Sequence, residues 1–120
     1  MEVKAGEVYY SHRTDIQPPK AKYQLYFDDE TVLLINTEKS KRNISVYVKQ
    51  CECPILEYDS YICIDNVFRK ERGCKIIRVQ ELSSETLKRI KDMIGNSTLL
   101  TNKKIDEIKR KISIILANRE

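Results

Sequence analysis

Apolar and polar residues alternate with a period of two through much of the first two-thirds of the chain. Between Ile44 and Lys49 every second residue is β-branched and apolar, a pattern typical of a strand with one buried face. Further strands are predicted at residues 6–10, 22–27, 31–37, 60–64 and 74–79. A polar stretch with two prolines, residues 11–21, predicts a loop between the first two strands. Strands this short and closely spaced favour a small antiparallel barrel over a parallel α/β sheet.

The last third of the chain changes to the three- and four-residue spacing of amphipathic helices. Residues 83–95 form the first predicted helix, with Ser83 placed to cap its start and Gly95 placed to end it. Residues 102–117 form the second, which Thr101 is placed to cap in the same way and where four isoleucines recur on one helical face. The predicted architecture is therefore a small β-barrel that is closed or flanked by two helices.

Length and hydropathy narrow the class of protein. A chain of 120 residues predicts a single domain, with the barrel in residues 1–80 and the two helices after it. The longest apolar runs fall far short of the ~20 residues that a membrane helix needs. Near the start, no basic region precedes an apolar stretch, so no secretory signal peptide is predicted. We therefore expect a cytoplasmic α+β protein without a membrane segment.

Charge is distributed unevenly along the chain. The formal net charge is +4, and residues 61–120 alone carry 14 Lys and Arg against 8 Asp and Glu. Basic residues cluster in two predicted loops, at residues 39–42 and 69–72. This surplus permits a polyanionic partner without requiring one.

The four cysteines do not form a recognisable framework. Without a secretory signal, an even number of cysteines does not indicate disulfides, because cytosolic thiols are kept reduced. The Cys51-x-Cys53 spacing leaves a zinc site open, although structural zinc sites usually have two or more residues between paired cysteines. Cys63 and Cys74 lie in or beside predicted strands, where cysteine packs as a small apolar residue. The favoured interpretation is buried thiols and no metal.

Several short motifs occur in the order found in one bacterial family. They are GEVY at residues 6–9, QPPKAK at 17–22, YQLYF at 23–27, LINT at 34–37, YICID at 61–65 and ELSSETL at 81–87. In that order they resemble the MazF/PemK-like toxins of bacterial toxin–antitoxin systems. The resemblance covers most of residues 1–95, and the order of the motifs carries it, since each motif is short and degenerate.

This resemblance implies a fold, an activity and partners. The fold would be an SH3-like barrel of the CcdB/MazF type with two C-terminal helices, usually found as a homodimer. The activity would be that of an endoribonuclease, a hydrolase that cuts single-stranded RNA without a metal ion or other cofactor. The partner, besides RNA, would be a cognate antitoxin protein whose tail folds on binding.

The resemblance also implies site residues. The catalytic candidates are Lys22 before the second strand, Thr37 at the end of the third, His12 and Arg13 after the first, and Asp65 in a late strand. The candidates for RNA binding are Lys20, Lys39, Lys41, Arg42, Arg69, Lys70 and Arg72. Metal-free RNA cleavage needs a base for the 2′-hydroxyl, an acid for the leaving 5′-oxygen and positive charge at the phosphate.

Two alternatives to the nuclease stay open. Lys22 occupies the position where the family usually has arginine, and lysine cannot make the two-pronged contact of a guanidinium with a phosphate. Cys63 stands where some members have an arginine beside the acidic residue that Asp65 matches. These differences favour a barrel that has lost cleavage and acts as a nucleic-acid- or protein-binding module. A CcdB-like barrel that poisons a protein target is the second alternative.

Overall fold

One antiparallel sheet and two helices make up the computed structural model, which describes residues 2–120. The elements are β1 (Glu7–Arg13), β2 (Lys20–Asp28), β3 (Thr31–Asn36), β4 (Ser45–Val48), β5 (Ser60–Phe68), β6 (Ile76–Glu81), α1 (Ser84–Ile94) and α2 (Asn102–Asn118). A short 3₁₀ helix, Gln50–Glu52, follows β4. The α+β class predicted from the sequence is confirmed.

The sheet is open rather than closed into a barrel. Its strand order is β4-β5-β3-β2-β1-β6, so β4 and β6 are its edges and do not pair with each other. The helices pack across the inner face of the sheet, and α1 contacts β4 and β5. Because the helices cover this face, the core is buried although the sheet does not close on itself. The predicted antiparallel strands are confirmed, and the predicted barrel is not.

The core lies between the inner face of the sheet and one face of each helix. From the sheet it takes Val8, Leu25, Phe27, Leu33, Ile35, Ile62 and Ile64, and from the helices Leu87, Ile90, Ile94, Ile105, Ile108, Ile112 and Ile115. Both predicted helix starts are confirmed. The Ser83 hydroxyl accepts a hydrogen bond from the Thr86 amide at 3.2 Å, and the Thr101 hydroxyl accepts one from the Lys104 amide at 3.1 Å.

The first loop is shorter than the sequence predicts. β1 continues to Arg13 and β2 begins at Lys20, so only residues 14–19 connect the two strands. Polar residues at the end of β1 indicated a loop, but Ser11 and Arg13 are both buried on the outer face of the sheet, opposite the helices. They are buried because a later segment of the chain covers them.

That segment is the crossover, residues 69–75, which leads from β5 over three strands to β6. Arg13, only 1% exposed, ties the crossover to the sheet. Its guanidinium donates to the Asp15 carboxylate at 2.6 and 2.8 Å, to Gln24 Oε1 at 2.6 Å and to the carbonyl oxygen of Arg69 at 2.7 Å. The guanidinium also lies 5.1 Å from the centroid of the Phe68 ring. A buried charge with this many partners is satisfied electrostatically, but it tolerates the loss of none of them.

We predict that Arg13→Met lowers the free energy of unfolding by about 3 kcal/mol or more, because the Asp15 carboxylate and the Arg69 carbonyl lose the donor that Arg13 supplies. Chemical denaturation measures the change. Arg42→Met, at an exposed loop position, is the control and should change stability by less than about 0.5 kcal/mol. If Arg13→Met does not fold, Arg13→Lys keeps the charge and should fall between the two. Equal stability of the Arg13 and Arg42 variants would contradict the prediction.

Candidate functional site

A cleft of about 200 Å³ lies where β2 begins and β3 ends, and we call it the β2–β3 cleft. Its lining residues are Tyr10, Lys20, Ala21, Lys22, Tyr23, Ile35, Thr37, Glu57, Tyr58 and Ser60. They come from β1, β2, the end of β3 and the segment before β5. Three of the residues predicted from the sequence to act at one site, Lys20, Lys22 and Thr37, therefore line the same cleft.

The antiparallel pairing of β2 and β3 brings the lysines and the threonine together. Tyr23 pairs with Ile35, which places Lys22 beside Asn36 and one residue from Thr37. Lys22 Nζ donates a hydrogen bond to Asn36 Oδ1. Burial lowers the pKa of the Lys22 amine, and the positive charge of Lys20 lowers it further. Within the described residues, Lys22 has no carboxylate within ion-pair distance, so its charge is available to a ligand.

Aromatic side chains form one wall of the cleft. The rings of Tyr10 and Tyr23 pack with centroids 4.4 Å apart. Arg78 of β6 lies 5.9 Å from the centroid of the Tyr10 ring and donates to the Tyr23 hydroxyl at 3.4 Å. Burial raises the pKa of the Tyr23 phenol, with Glu57 as the next cause. Tyr58 differs from these two, because its ring is 65% exposed and free to stack on a ligand.

Glu57 adds a negative charge to the cleft that no motif in the sequence predicted. The Tyr23 hydroxyl lies 3.5 Å from Glu57 Oε1, on the border of hydrogen bonding. Residues 50–60 have no periodicity around Pro54, and their course is set by long-range contacts. The Ile55 amide, for example, donates to Gln80 Oε1 at 2.7 Å. No local pattern could therefore have placed Glu57 opposite the lysines.

The two candidates that follow one another on β1, His12 and Arg13, point to opposite faces of the sheet. His12 pairs with Ala21, the residue between the two cleft lysines, and shares its face of β1 with Tyr10. It is exposed but is not a lining residue of the cleft. Arg13 is buried on the outer face and its Nε, Nη1 and Nη2 atoms all donate to protein acceptors. Its contacts are those of a structural residue.

Asp65 is also placed away from the cleft. It is 5% exposed, and its carboxylate accepts a hydrogen bond from the Ile44 amide at 3.1 Å. Cys63 Sγ lies 3.9 Å from the other carboxylate oxygen. In this position Asp65 fixes the entry of the chain into β4.

The two predicted basic patches differ in their distance from the cleft. Lys39, Lys41 and Arg42 are exposed in the loop that begins at Thr37, next to the cleft. The other patch, Arg69, Lys70 and Arg72, belongs to the crossover and lines a different cavity together with Asp29 and Glu30. Arg69 Nε donates to Glu30 at 2.6 Å, so part of that charge is already neutralised. The loop after β3 is therefore the patch that extends the positive surface of the cleft.

The cysteines do not assemble a metal centre in the part of the chain that the structure describes. Among residues 2–120, no three His, Cys, Asp or Glu side chains are grouped so as to hold a metal ion. Cys51 is exposed, whereas Cys53 is buried in the core. Burial raises the pKa of the Cys53 thiol to about 11, which disfavours the thiolate that zinc would need.

A larger cavity, of about 490 Å³, lies between the start of β1 and the end of α2. Two of its basic lining residues are paired, Arg119 with Glu81 at 3.0 Å and Lys111 with Asp28 at 2.5 Å. None of the site residues predicted from the sequence lines this cavity, whereas three of them line the β2–β3 cleft. The smaller cleft is the better candidate for chemistry.

Comparisons with known proteins do not identify a family for this chain. No protein-family model, curated protein or solved structure matches the chain. Among residues 2–120, no helix has both the length and the apolar character that crossing a membrane requires.

We predict that Lys22→Met raises the free energy of unfolding at pH 7. Burial gives the folded state a lower lysine pKa than the unfolded state, so the protonated amine opposes folding below that pKa. The gain over wild type should shrink as the pH rises towards about 10.4, the ordinary lysine value, because the wild-type amine then loses its charge. Denaturation of both proteins across this range measures the difference, with Lys20→Met as the exposed control. If Lys22→Met is less stable than the wild type, the hydrogen bond from Lys22 to Asn36 outweighs the cost of burying the lysine charge, and the prediction is wrong.

Proposed function

We propose that this protein is the toxin component of a toxin–antitoxin system and cleaves single-stranded RNA in the β2–β3 cleft without a metal ion. The observation that carries the proposal is the convergence of Lys20, Lys22 and Thr37 on one cleft with three tyrosines. The two lysines belong to one motif, and Thr37, which lies 15 residues after Lys22, belongs to another. The pairing of β2 with β3 brings the two motifs together. The proposed fold family is MazF/PemK-like.

Binding would use both kinds of side chain in the cleft. Lys20 and Lys22 supply positive charge for a phosphate, and the Thr37 hydroxyl supplies a hydrogen-bond donor. Tyr58 and the Tyr10–Tyr23 pair supply ring faces for unstacked bases, which single-stranded RNA offers and a duplex does not. A ligand that carries both phosphates and free bases is the class that uses every part of this surface.

Cleavage would proceed by attack of the ribose 2′-oxygen on the adjacent phosphorus. The bond from the 2′-oxygen to phosphorus forms as the bond from phosphorus to the 5′-oxygen breaks, leaving a cyclic phosphate and a 5′-hydroxyl. His12 lies two residues beyond the cleft residue Tyr10 on the same face of β1, and it would accept the proton of the 2′-hydroxyl from a ribose at the border of the cleft. Lys22, whose lowered pKa eases the release of a proton, would protonate the leaving oxygen.

The proposal includes two protein partners and a compartment. As a cytoplasmic toxin of this family, the protein would form a homodimer and be neutralised by an antitoxin that binds to it. The two free sheet edges, β4 and β6, give such partners backbone groups to pair with. Ile77, 49% exposed on β6, adds an apolar contact there.

A binding module without cleavage is the second candidate. Two observations favour it. A lysine replaces the arginine expected at residue 22, and Asp65 serves the Ile44 amide instead of the cleft. A protein that holds RNA by its phosphates and bases needs neither group.

We predict that the purified protein cuts single-stranded RNA in the presence of EDTA and leaves 5′-hydroxyl ends. Lys22→Ala should slow the reaction by about 10²–10⁴, the usual effect of removing a proton donor. Thr37→Ala should also slow it, because it removes a phosphate ligand. End analysis of the fragments and single-turnover rates measure these effects.

Lys109→Ala, which changes a lysine on α2 outside the cleft, is the control and should cut at the wild-type rate. RNA that is bound but stays intact would favour the binding module. RNA that is neither bound nor cut by folded protein would contradict both candidates.

We predict that replacing Lys39, Lys41 and Arg42 together by alanine weakens RNA binding and reduces its salt dependence. Each lost phosphate contact lowers the slope of log K against log salt by about 0.7 for a single strand. Titrations at several salt concentrations measure the slope. The same replacement of Arg69, Lys70 and Arg72 should have a smaller effect, because that patch lies on the crossover. An unchanged slope in the first variant would place the RNA path elsewhere.

A further inference from the structure

The β2–β3 cleft is lined by residues of opposite charge. Lys20 and Lys22 belong to β2, and Glu57 comes from the segment before β5. Within the described residues, none of these three groups has an ion-pair partner within 4.0 Å, so the lysines and the carboxylate do not neutralise each other. A single anion would satisfy the lysines alone, and the carboxylate would then repel it. The cleft therefore fits a ligand with an anionic end and an end that donates hydrogen bonds.

Glu57 is held in place by its neighbours rather than by a partner of its own. The Ser60 hydroxyl donates to the Tyr58 carbonyl at 2.8 Å. The next residue, Asp59, accepts from the Gln50 amide at 2.7 Å and from the Tyr47 hydroxyl at 2.9 Å. These bonds fix the backbone on the C-terminal side of Glu57, while its carboxylate keeps only the long contact to Tyr23. The Glu57 carboxylate is therefore still able to accept hydrogen bonds.

Tyr58, the next residue along the chain, adds an exposed ring to the same cleft. The ring is 65% exposed, whereas Tyr10 and Tyr23 already pack on each other. Stacking alone tolerates every base, so selectivity needs a hydrogen-bonding group as well. Glu57 is the carboxylate that the lining of the cleft offers for this role.

We propose that the β2–β3 cleft selects guanine, which would stack on Tyr58 and pair through its Watson–Crick edge with the Glu57 carboxylate. An ionised carboxylate only accepts hydrogen bonds. Guanine alone among the four RNA bases has two neighbouring donors on that edge, the N1–H and the 2-amino group. Adenine and cytosine place an acceptor beside a single amino donor, and uracil flanks one N–H with two carbonyl groups. This inference rests on the proposed binding of single-stranded RNA and names its base.

The experiment measures binding without cleavage. Short oligouridines that carry one central guest nucleotide are 2′-O-methylated throughout, which removes the attacking hydroxyl, and are titrated by fluorescence anisotropy at one salt concentration. Wild-type protein should bind the guanine guest about tenfold or more tightly than the adenine and cytosine guests, as expected for two-pronged recognition of a base. Inosine, which lacks the 2-amino donor, should fall between them.

Two matched variants test the role of the carboxylate. Glu57→Gln should lower the affinity for the guanine guest to that of the other guests, and its continued binding of plain oligouridine shows that it is folded. Glu38→Gln removes the same charge from an exposed position beside Thr37 and should keep the preference. Equal affinity of the wild type for all guests, or a preference that survives in Glu57→Gln, would overturn the inference and leave RNA binding intact. Failure to bind any oligonucleotide would instead overturn the proposed function.

Discussion

The buried guanidinium of Arg13 holds together two parts of the chain on which the rest of the fold depends. β6 reaches its place beside β1 only because the crossover passes over three strands, and Arg13 fastens that crossover through the carbonyl of Arg69. Glu71 adds a second attachment, since its carboxylate accepts from the backbone amides of Thr14 and Asp15 at 2.8 and 2.9 Å. The position of β6 in turn sets where α1 begins, three residues later, and with it the helical half of the core.

The same constraint reaches the candidate site. β6 pairs with β1 so that Arg78 lies opposite Tyr10, and Arg78 contacts both Tyr10 and the hydroxyl of Tyr23. Gln80, on the same strand, accepts from the Ile55 amide and so guides the segment that carries Glu57. The aromatic wall and the acidic residue of the cleft are therefore both positioned through a strand that the crossover delivers.

Local patterns predicted the elements better than they predicted how the elements meet. Alternation located the strands, and both helix caps were visible in Ser83 and Thr101, because these features depend on neighbouring residues alone. The predicted end of β1 was wrong, because polar Ser11 and Arg13 are strand residues that the distant crossover buries. Glu57 was missed for the same reason. Lys22 and Thr37 were found through motif order, which stands in for long-range information that a single sequence does not otherwise show.

The contrast between Arg13 and Lys22 separates structure from function in this molecule. Both cations lie on neighbouring strands and lose water on folding, and burial acts against the charge of each. Around Arg13 the protein supplies a carboxylate and two further acceptors, which offset the cost of burial. Around Lys22 it supplies one neutral amide and a second lysine, so the cost is left in place. A fold that keeps an uncompensated cation in a cleft gains free energy when an anion enters it, and perturbed charges of this kind concentrate at functional sites. The electrostatic cost at Lys22 thus adds to the convergence of Lys20, Lys22 and Thr37 on one cleft as a reason to propose ligand binding at this end of the sheet.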